Sequence, residues 1–290
     1  MNNNNPLVTV RIPAYNHERY IEKAILSIVN QTFQDFELIV INDGSTDRTP
    51  EIIDRLSEEY GFRVIHQENA GLTKTLNRLI RLAKGQFITG CASDDFWPET
   101  RLEEQVKCFE QHPEADLVHG NFTTVDGVDQ IAPNGGLKGV PIDGSSEFPH
   151  FVRRKRSYLT GTIMVRTEAF YRVGLYDETI AVEDFDWMLR ATRLLSIKHS
   201  DQSWTFYRRH GENWGMTAKG AARMADSSYQ EAKKLGLYWG GVFLFYKAPA
   251  LLRLEMTAGR KRRFLIYLLF PVLMFNQGFL RQCYRSAIRR

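Results

Sequence analysis

Residues 38–47 read Leu38-Ile39-Val40-Ile41-Asn42-Asp43-Gly44-Ser45-Thr46-Asp47, a short apolar run followed by an acidic turn. About fifty residues later the chain repeats this arrangement, with an apolar run that ends in Ser93-Asp94-Asp95. Short apolar runs before turn residues are typical of buried strands. In an open parallel sheet, ligands bind beyond the carboxyl ends of the strands. We therefore predict that both acidic turns converge on one crevice, suited to a nucleotide and a metal ion.

Strand-like runs alternate with helical stretches as far as Phe122. The predicted strands cover residues 7–12, 36–41, 63–66, 86–91 and 115–119. This alternation predicts an α/β fold with a doubly wound sheet. Gly and Pro recur in residues 126–149, which we predict to be a loop or a hairpin.

The chain is less regular after this break. We predict a strand over residues 160–165, a helix over 167–173, a helix that begins near Glu183, and a strand around 204–207. These elements suggest a second lobe laid against the first.

Composition is that of an ordinary globular protein. The 290 residues are 43% hydrophobic and 25% charged, which excludes a disordered or fibrous chain. This length suits one α/β domain with an appendage, and only residues 1–5 are expected to be flexible. Cys91, Cys108 and Cys283 lack the spacing of metal ligands, and there is no apolar N-terminal signal segment. We therefore predict a reducing, cytoplasmic setting.

The turns after the first two predicted strands carry candidate nucleotide contacts. Pro13, Tyr15 and Asn16 lie where a strand passes into a helix, whose free backbone N–H groups suit phosphate. An ordinary strand-to-helix turn is the alternative. Asp43 can accept hydrogen bonds from a base or a ribose, and the next residue, a glycine, permits a tight turn. Asp43 and Asp47 could instead cap the following helix, an interpretation that we favour for Asp47 only.

Asp94 and Asp95 are adjacent carboxylates, which repel each other unless a cation or hydrogen bonds neutralise them. A divalent ion that prefers oxygen ligands and bridges carboxylate to diphosphate would remove this repulsion. A solvated acidic turn is the alternative.

Two later segments carry further candidates. A carboxylate of Glu183-Asp184, at a helix start, could take a proton from an acceptor hydroxyl, or could simply cap the helix. Arg208-Arg209-His210 brings two guanidinium groups and an imidazole into one loop, which suits phosphate and a metal or a leaving diphosphate.

Taken together, these motifs resemble the motif series of the family 2 glycosyltransferases over roughly residues 6–215. The motifs that carry the resemblance are Ile12-Pro13-Ala14-Tyr15-Asn16, residues 38–47, Asn69-Ala70-Gly71-Leu72, Ala92-Ser93-Asp94-Asp95, Glu183-Asp184 and Tyr207-Arg208-Arg209-His210. Several spaced motifs in the right order are more specific than any one of them. Members of this kind act in bacterial cell-surface polysaccharide assembly.

The resemblance implies a GT-A fold, with a mixed central sheet flanked by helices. It also implies a nucleotide diphosphate sugar donor, foremost a UDP-sugar, with Mn²⁺ or Mg²⁺ and transfer with inversion. Residues 6–122 would form the donor-binding half and residues 123–215 the acceptor-binding half. Residues 216–290 would form a helical region that associates with a membrane or an oligomer.

Site roles follow from the same resemblance. The nucleoside would be bound by Pro13, Tyr15, Asn16 and Asp43, and the sugar or ribose by Asp94. The metal would be bound by Asp95, and the catalytic base would be Asp184. The metal or the diphosphate would also be contacted by His210 and Arg208. Lys74 could reach the nucleotide or be a solvated helix lysine. The acidic motif of the family is often Asp-any-Asp, and Ser93 stands here at its first position, which leaves the division of roles between Asp94 and Asp95 open.

The C-terminal region combines apolar runs with basic residues. From Lys247 onward, ten Lys and Arg face Glu255 alone. Residues 264–275 are mostly apolar but too short to cross a bilayer, which takes about 20 residues. After the basic run Arg260-Lys261-Arg262-Arg263 they suit a helix lying in an anionic membrane interface. We therefore predict peripheral attachment to the cytoplasmic face of a membrane, and with it a lipid-linked acceptor.

Other interpretations of the chain remain. The C-terminal helices could pack on the catalytic domain or on a second subunit, whereas nucleic acid fits poorly because long apolar runs separate the basic groups. The basic run 153–156 could face acceptor phosphates or be solvated. A nucleotide-sugar-binding scaffold and a sugar nucleotidyltransferase are the alternatives to a glycosyltransferase. The acidic residues argue against the first, and the lack of a Gly-rich phosphate loop argues against the second.

Overall fold

A computed structural model describes residues 5–137, 148–152, 160–211, 213 and 217–259. Within these ranges the strands are β1 (Val8–Ala14), β2 (Phe36–Asp43), β3 (Arg63–Gln67), β4 (Phe87–Gly90), β5 (Leu117–Val125), β6 (Ile131–Leu137), β7 (Met164–Arg166) and β8 (Ile197–Arg208). The helices are α1 (Ile21–Val29), α2 (Thr49–Tyr60), α3 (Leu72–Leu82), α4 (Arg101–Gln111), α5 (Phe148–Val152), α6 (Thr167–Val173), α7 (Glu183–Leu194), α8 (Ala218–Lys234) and α9 (Gly236–Thr257). The predicted α/β class is confirmed.

The strands form one mixed sheet in the order β3-β2-β1-β4-β7-β5-β6, with β8 beside β5. β1, β2, β3 and β4 are parallel to their neighbours in this set. Ala14 lies opposite Asn42, and Arg11 lies opposite Gly90. The carboxyl ends of β1, β2 and β4 therefore lie at one edge of the sheet, where the turns that follow them meet.

The second half of the chain extends the same sheet and does not form a separate lobe. β7 pairs antiparallel with both β4 and β5, and β8 pairs parallel with β5. β5 runs to Val125, beyond the predicted end at residue 119, and its antiparallel pairing with β6 confirms the hairpin alternative. Residues 138–147 of the predicted loop and the basic run 153–156 lie outside the described residues.

The parallel half is buried on both faces, which explains the continuous apolar run at residues 38–41 of β2, although β1 also buries Thr9 and Arg11. Val8, Val10 and Ile12 pack with α1 in one cluster. Ile39 and Ile41 pack on the other face against Leu79 of α3. Burying each of these side chains contributes roughly 1.5–3 kcal/mol.

A second cluster joins α7 to the C-terminal helices. Trp187 of α7 is buried with Phe170 of α6, and Phe243 of α9 belongs to the same cluster. The start of the C-terminal region therefore packs on the domain, as one alternative predicted. No helix within the described ranges is long and apolar enough to span a membrane. The basic run Arg260-Lys261-Arg262-Arg263 and residues 264–275 lie outside those ranges.

Candidate active site

The turns after β1 and β2 are tied together by Asn16. Its backbone is left-handed, with φ of 51°. The Asn16 side-chain oxygen accepts a hydrogen bond from the Thr46 backbone N–H at 2.8 Å, and the Asn16 N–H donates to Ser45 Oγ at 3.0 Å. Pro13 is half-buried beside this joint, while Tyr15 is 47% exposed.

Asp43 is buried at the end of β2 and organises the loop before α3. Its Oδ1 accepts from Gln67 Nε2 at 2.6 Å and from the Ala70 N–H at 2.8 Å, and its Oδ2 accepts from the Gly71 N–H at 3.0 Å. The carboxylate thus fixes the Asn69-Ala70-Gly71 segment beside the turn after β2. Lys74 lies exposed on the first turn of α3.

Asp47 has the capping role that we favoured. One of its oxygens accepts from the N–H of Thr49, the first residue of α2, and the other accepts from the Glu18 N–H, both at 3.0 Å. The two neighbouring acidic residues, Asp43 and Asp47, therefore support different segments.

The acidic turn after β4 is held from two sides. Asp95 is buried, and its Oδ1 accepts from the Arg208 N–H at 2.8 Å. Asp94 Oδ2 lies 3.1 Å from His210 Nε2. Burial, and then the charge of Asp94, raise the pKa of Asp95 well above its ordinary value. A bound cation would relieve both effects.

Arg208 braces this turn against the β5–β6 hairpin. Its guanidinium donates to the Asp94 carbonyl and, from Nε at 2.9 Å, to Asp129 Oδ1. The group lies over the rings of Tyr20 and Phe96, at 4.6 and 5.2 Å from their centroids, and the side chain is only 2% exposed. The predicted contact with a diphosphate would therefore require Arg208 to exchange Asp129 for the phosphate.

Histidines line the other side of the acidic turn. His17 Nδ1 and Ser93 Oγ share a hydrogen bond of 2.7 Å. The ring of His210 lies 4.8 Å from that of Tyr20 and 6.3 Å from that of His17. His210 Nδ1 is buried without a hydrogen-bond partner among the described residues. Sequence reasoning missed His17 and Tyr20, and the only signal was their closeness to the Pro13 to Asn16 motif.

These residues fit a cation that also needs ligands from a substrate. No group of three His, Cys, Asp or Glu in the described part of the chain is arranged to hold a metal alone. Mg²⁺ commonly takes one or two protein carboxylates and completes its shell with water and substrate phosphates. Asp95, with Asp94 and His210 beside it, could supply such a partial set.

The Glu183-Asp184 pair stands at the start of α7. Asp184 is half-buried, with Oδ2 accepting from Thr160 Oγ1 at 2.9 Å and Oδ1 accepting from the Phe185 N–H at 2.7 Å. Burial raises the pKa of Asp184. Burial and the charge of Asp184 raise the pKa of the neighbouring Glu183 to about 8. One oxygen of Asp184 thus accepts from an N–H of the first helical turn, although the N-cap residue of α7 is Val182, which makes no side-chain capping bond.

Tyr207 of β8 is influenced by the charges of both acidic segments. Burial is the largest cause that raises the pKa of Tyr207, and the charges of Asp95, Asp94 and Asp184 raise it further. The charges of these three carboxylates therefore all act on the Tyr207 side chain. Arg11 enters the same region, where its Nη2 donates to Tyr176 Oη at 3.1 Å and its charge favours the ionised form of Glu183. Neither Tyr207 nor Arg11 had been assigned a role from the sequence.

Residues 9–180 match the sequence profile of Glycosyl transferase family 2. The chain belongs to this family. It is 31% identical over 220 residues to a chondroitin synthase of Pasteurella multocida, a match that covers 72% of this chain and 21% of that protein.

Solved structures share the fold. TarS 1-349 of S. aureus, in complex with UDP-GlcNAc, aligns with a TM-score of 0.63 at 19% identity, over 95% of this chain and 79% of that one. The mannosyltransferase PcManGT from Pyrobaculum calidifontis, in complex with GDP-Man and Mn²⁺, aligns with a TM-score of 0.61 at 17% identity, over 98% and 87%. The expected GT-A fold is thereby confirmed.

Proposed function

We propose that the protein is a metal-dependent glycosyltransferase. It transfers a sugar from a nucleotide diphosphate sugar to a hydroxyl of a saccharide or lipid-linked acceptor, with inversion, in cell-surface glycan assembly. The observation that carries this proposal is the acidic turn after β4, where Asp95 Oδ1 accepts from the Arg208 N–H at 2.8 Å and Asp94 Oδ2 lies 3.1 Å from His210 Nε2. Family membership and the nucleotide-sugar complexes of PcManGT and TarS support it.

The donor lies at the edge formed by β1, β2 and β4. Pro13, Tyr15, Asn16 and Asp43 bind the nucleoside, and Lys74 reaches the nucleotide from α3. A UDP-sugar is the first candidate, because the TarS complex contains UDP-GlcNAc. GDP- and dTDP-sugars are the alternatives to be compared with it.

Asp95 and His210 hold Mn²⁺ or Mg²⁺, and Asp94 contacts the sugar or the ribose. When bound, the cation supplies positive charge that stabilises the departing diphosphate. Arg208 keeps the acidic turn in place through its backbone N–H and its contact with the Asp94 carbonyl. It meets the diphosphate only after Asp129 has released it.

Asp184 takes the proton of the acceptor hydroxyl as that oxygen attacks the anomeric carbon. The adjacent Glu183, with a pKa of about 8, carries a proton at pH 7. Asp184, whose oxygens accept from Thr160 Oγ1 and the Phe185 N–H, is the member of the pair whose ionised form these hydrogen bonds favour.

Donor binding can be tested by thermal shift with UDP-, GDP- and dTDP-sugars, each with and without Mn²⁺. A productive donor raises the melting temperature by mass action, by an amount equivalent to about 2.7 kcal/mol at 100 times its Kd. Asp95→Asn should lose the Mn²⁺-dependent part of this shift. Asp201→Asn, which changes a carboxylate that is 95% exposed on β8, is the matched control and should keep it. A metal-dependent shift that survives in Asp95→Asn, or no shift with any donor, would contradict the proposal.

We also propose that residues 260–290 attach the protein to the cytoplasmic face of a membrane, near a lipid-linked acceptor. The basic and apolar sequence of this segment supports the proposal. Sedimentation with anionic and neutral vesicles tests it, comparing the full chain with a chain that ends at residue 259. Loss of binding to anionic vesicles on truncation is expected. Equal sedimentation of both chains with anionic vesicles, whether or not the chains self-associate, would contradict attachment through this segment.

A further inference from the structure

Lys247 is a buried cation within the C-terminal helix pair. Its side chain is 10% exposed, and its Nζ lies 3.5 Å from Oε2 of the fully buried Glu231 of α8. The sequence counted Lys247 among the basic groups of a membrane-facing tail, but the structure places it inside the protein. Burying two charges costs several kcal/mol per ion, only partly offset by their attraction. The energetics of the buried Lys247–Glu231 pair therefore differ from those of an ion pair on the protein surface.

The ammonium group of Lys247 packs against the first turn of α7. Its Nζ lies 4.6 Å from the centroid of Phe185 and 4.8 Å from that of Phe243. Phe185 directly follows Asp184, and its N–H donates to the Asp184 carboxylate at 2.7 Å. Its ring also stacks on Phe151 of α5 at 5.0 Å. Helix α9 thus brings a positive charge to the turn that carries the proposed base.

Resting on the proposed function, in which Asp184 is the base, we propose that Lys247 is a positioning residue for transfer. Its ammonium group, held by Glu231, supplies the positive charge that keeps the Asp184 carboxylate ionised at the start of α7. Helices α8 and α9 are then part of the reaction centre, whatever the segment beyond them does.

Several titratable groups lie on the elements around the start of α7 within the described ranges. They are Glu183 and Asp186 of α7, Glu231 and Lys234 of α8, Lys247 of α9, Arg11 of β1, Tyr207 of β8, and Tyr176 and Asp177 before α7. Lys234 is bound by Asp177 and Asp186, at 2.5 and 3.0 Å. Arg11 favours the ionised form of Glu183. Burial raises the pKa of Asp184, and the cation that opposes this rise is Lys247.

Glu231 acts on the titration of Asp184 in the direction opposite to that of Lys247. Its pKa is raised to about 7, chiefly by burial and also by the charges of Asp184 and Asp186, while Lys247 opposes the rise. Because interactions between titrating groups are mutual, an ionised Glu231 also disfavours the ionised form of Asp184. Removing Lys247 and removing the charge of Glu231 should therefore move the titration of Asp184 in opposite directions.

The test is a pH titration by ¹³C NMR of protein labelled at the Asp side-chain carboxyl carbon, which needs no substrate. The Asp184 signal is assigned by its loss in Asp184→Asn. Lys247→Met should move the midpoint of this signal to higher pH, and Lys247→Arg should leave it near the wild-type value. Glu231→Gln should move it to lower pH. Arg253→Met removes an exposed cation from the same helix and is the matched control, with no shift expected.

An unchanged Asp184 midpoint in folded Lys247→Met would overturn the inference. If that variant does not fold, Glu231→Gln decides, because an unchanged or raised midpoint there contradicts the charge arrangement. Turnover separates this failure from failure of the proposed function. If Asp184→Asn loses transfer but Lys247→Met does not move the Asp184 midpoint, Asp184 remains the base and Lys247 is not a positioning residue. Full transfer in Asp184→Asn removes the base itself.

Discussion

Gly44 meets two requirements that only glycine satisfies at this position. Its φ is 73°, in the left-handed region, and a Cβ there would lie 2.7 Å from the Asn69 backbone nitrogen. The turn after β2 and the Asn69-Ala70-Gly71 segment can approach each other only because this side chain is absent. Asp43 then bonds the same segment, so the two residues together shape the proposed nucleoside pocket.

We predict that Gly44→Ala destabilises the fold more than Gly61→Ala does. Gly61 has nearly the same φ, 75°, but no atom lies within 4 Å of a Cβ built there. Gly61→Ala should therefore cost only the backbone strain, about 1 kcal/mol, and Gly44→Ala roughly twice that or more. Urea unfolding of both variants measures the difference. Equal losses would show that the contact with Asn69 relaxes without cost.

Individual residues also mark the limit of sequence reasoning at the site. Asp43, Asp94, Asp95 and Asp184 stand next to strand or helix ends, which a motif can predict. Lys247 was misinterpreted because its partner, Glu231, lies on another helix, and no sequence spacing reveals that contact. Asp129 escaped notice for the same reason, since Arg208 lies 79 residues away from it.

The β5–β6 hairpin is the element that links the second half of the chain to the acidic turn. In its turn, Asp126 Oδ1 accepts from the N–H groups of Val128 and Gln130, both at 2.9 Å. Asp129 has a left-handed backbone with φ of 67° and binds Arg208 and, at 2.7 Å, Lys23 of α1. The hairpin therefore holds Arg208 in the position from which it supports Asp94 and Asp95.

We predict that Asp129→Asn loosens this hairpin and weakens Mn²⁺ binding. Arg208 would keep a buried charge without its carboxylate, and leaving a buried group unsatisfied costs about 1–3 kcal/mol, more for a charged group. Its free guanidinium would then compete with a cation for Asp94 and Asp95. Urea unfolding, hydrogen exchange of residues 126–130 and a Mn²⁺ titration measure these effects.

Lys23→Met is the matched control for this prediction. It removes the other partner of the same carboxylate, but Lys23 is 47% exposed, and an exposed ion pair contributes about 1 kcal/mol or less. The control should therefore keep Mn²⁺ affinity. A similar loss of Mn²⁺ affinity in both variants would contradict the bracing role of Arg208.

At the level of elements, the parallel half could be predicted and the antiparallel half only in part. β1 and β2 are buried on both faces, and the apolar run at residues 38–41 of β2 stands out from the helices on either side of it. β7 has only three residues, Met164–Arg166, and its place between β4 and β5 depends on pairings that are distant in sequence. For this reason the second half was expected as a second lobe laid against the first, although it continues the same sheet.

The molecule as a whole carries buried acids whose pKa values are raised. The pKa of Glu183 is about 8, raised by burial and by Asp184, and that of Glu231 is about 7, raised by burial, against an ordinary value of 4.5 for both. Between pH 4.5 and these values the folded protein holds protons that the unfolded chain has released. Glu183 and Glu231 therefore contribute stability that is lost as pH rises through this interval.

We predict that Glu183→Gln flattens this decline. In metal-free buffer, wild-type protein should melt at a lower temperature at pH 8 than at pH 5.5, and the variant should recover part of the difference. Each kcal/mol recovered corresponds to about 2–4 °C. Calorimetry at both pH values measures the effect. An identical pH dependence in wild type and variant would mean that Glu183 titrates alike in the folded and unfolded chains.

The central claim concerns the whole crevice, in which separate groups bind the donor and accept the proton. Its most direct test compares Asp184→Asn with wild type in two measurements on the same samples. These are donor binding, by calorimetric titration in the presence of Mn²⁺, and the rate at which the nucleoside diphosphate is released during transfer. We predict an unchanged donor Kd and a rate reduced by at least about 100-fold, the contribution typical of a general base. Transfer at the wild-type rate in Asp184→Asn would contradict the account.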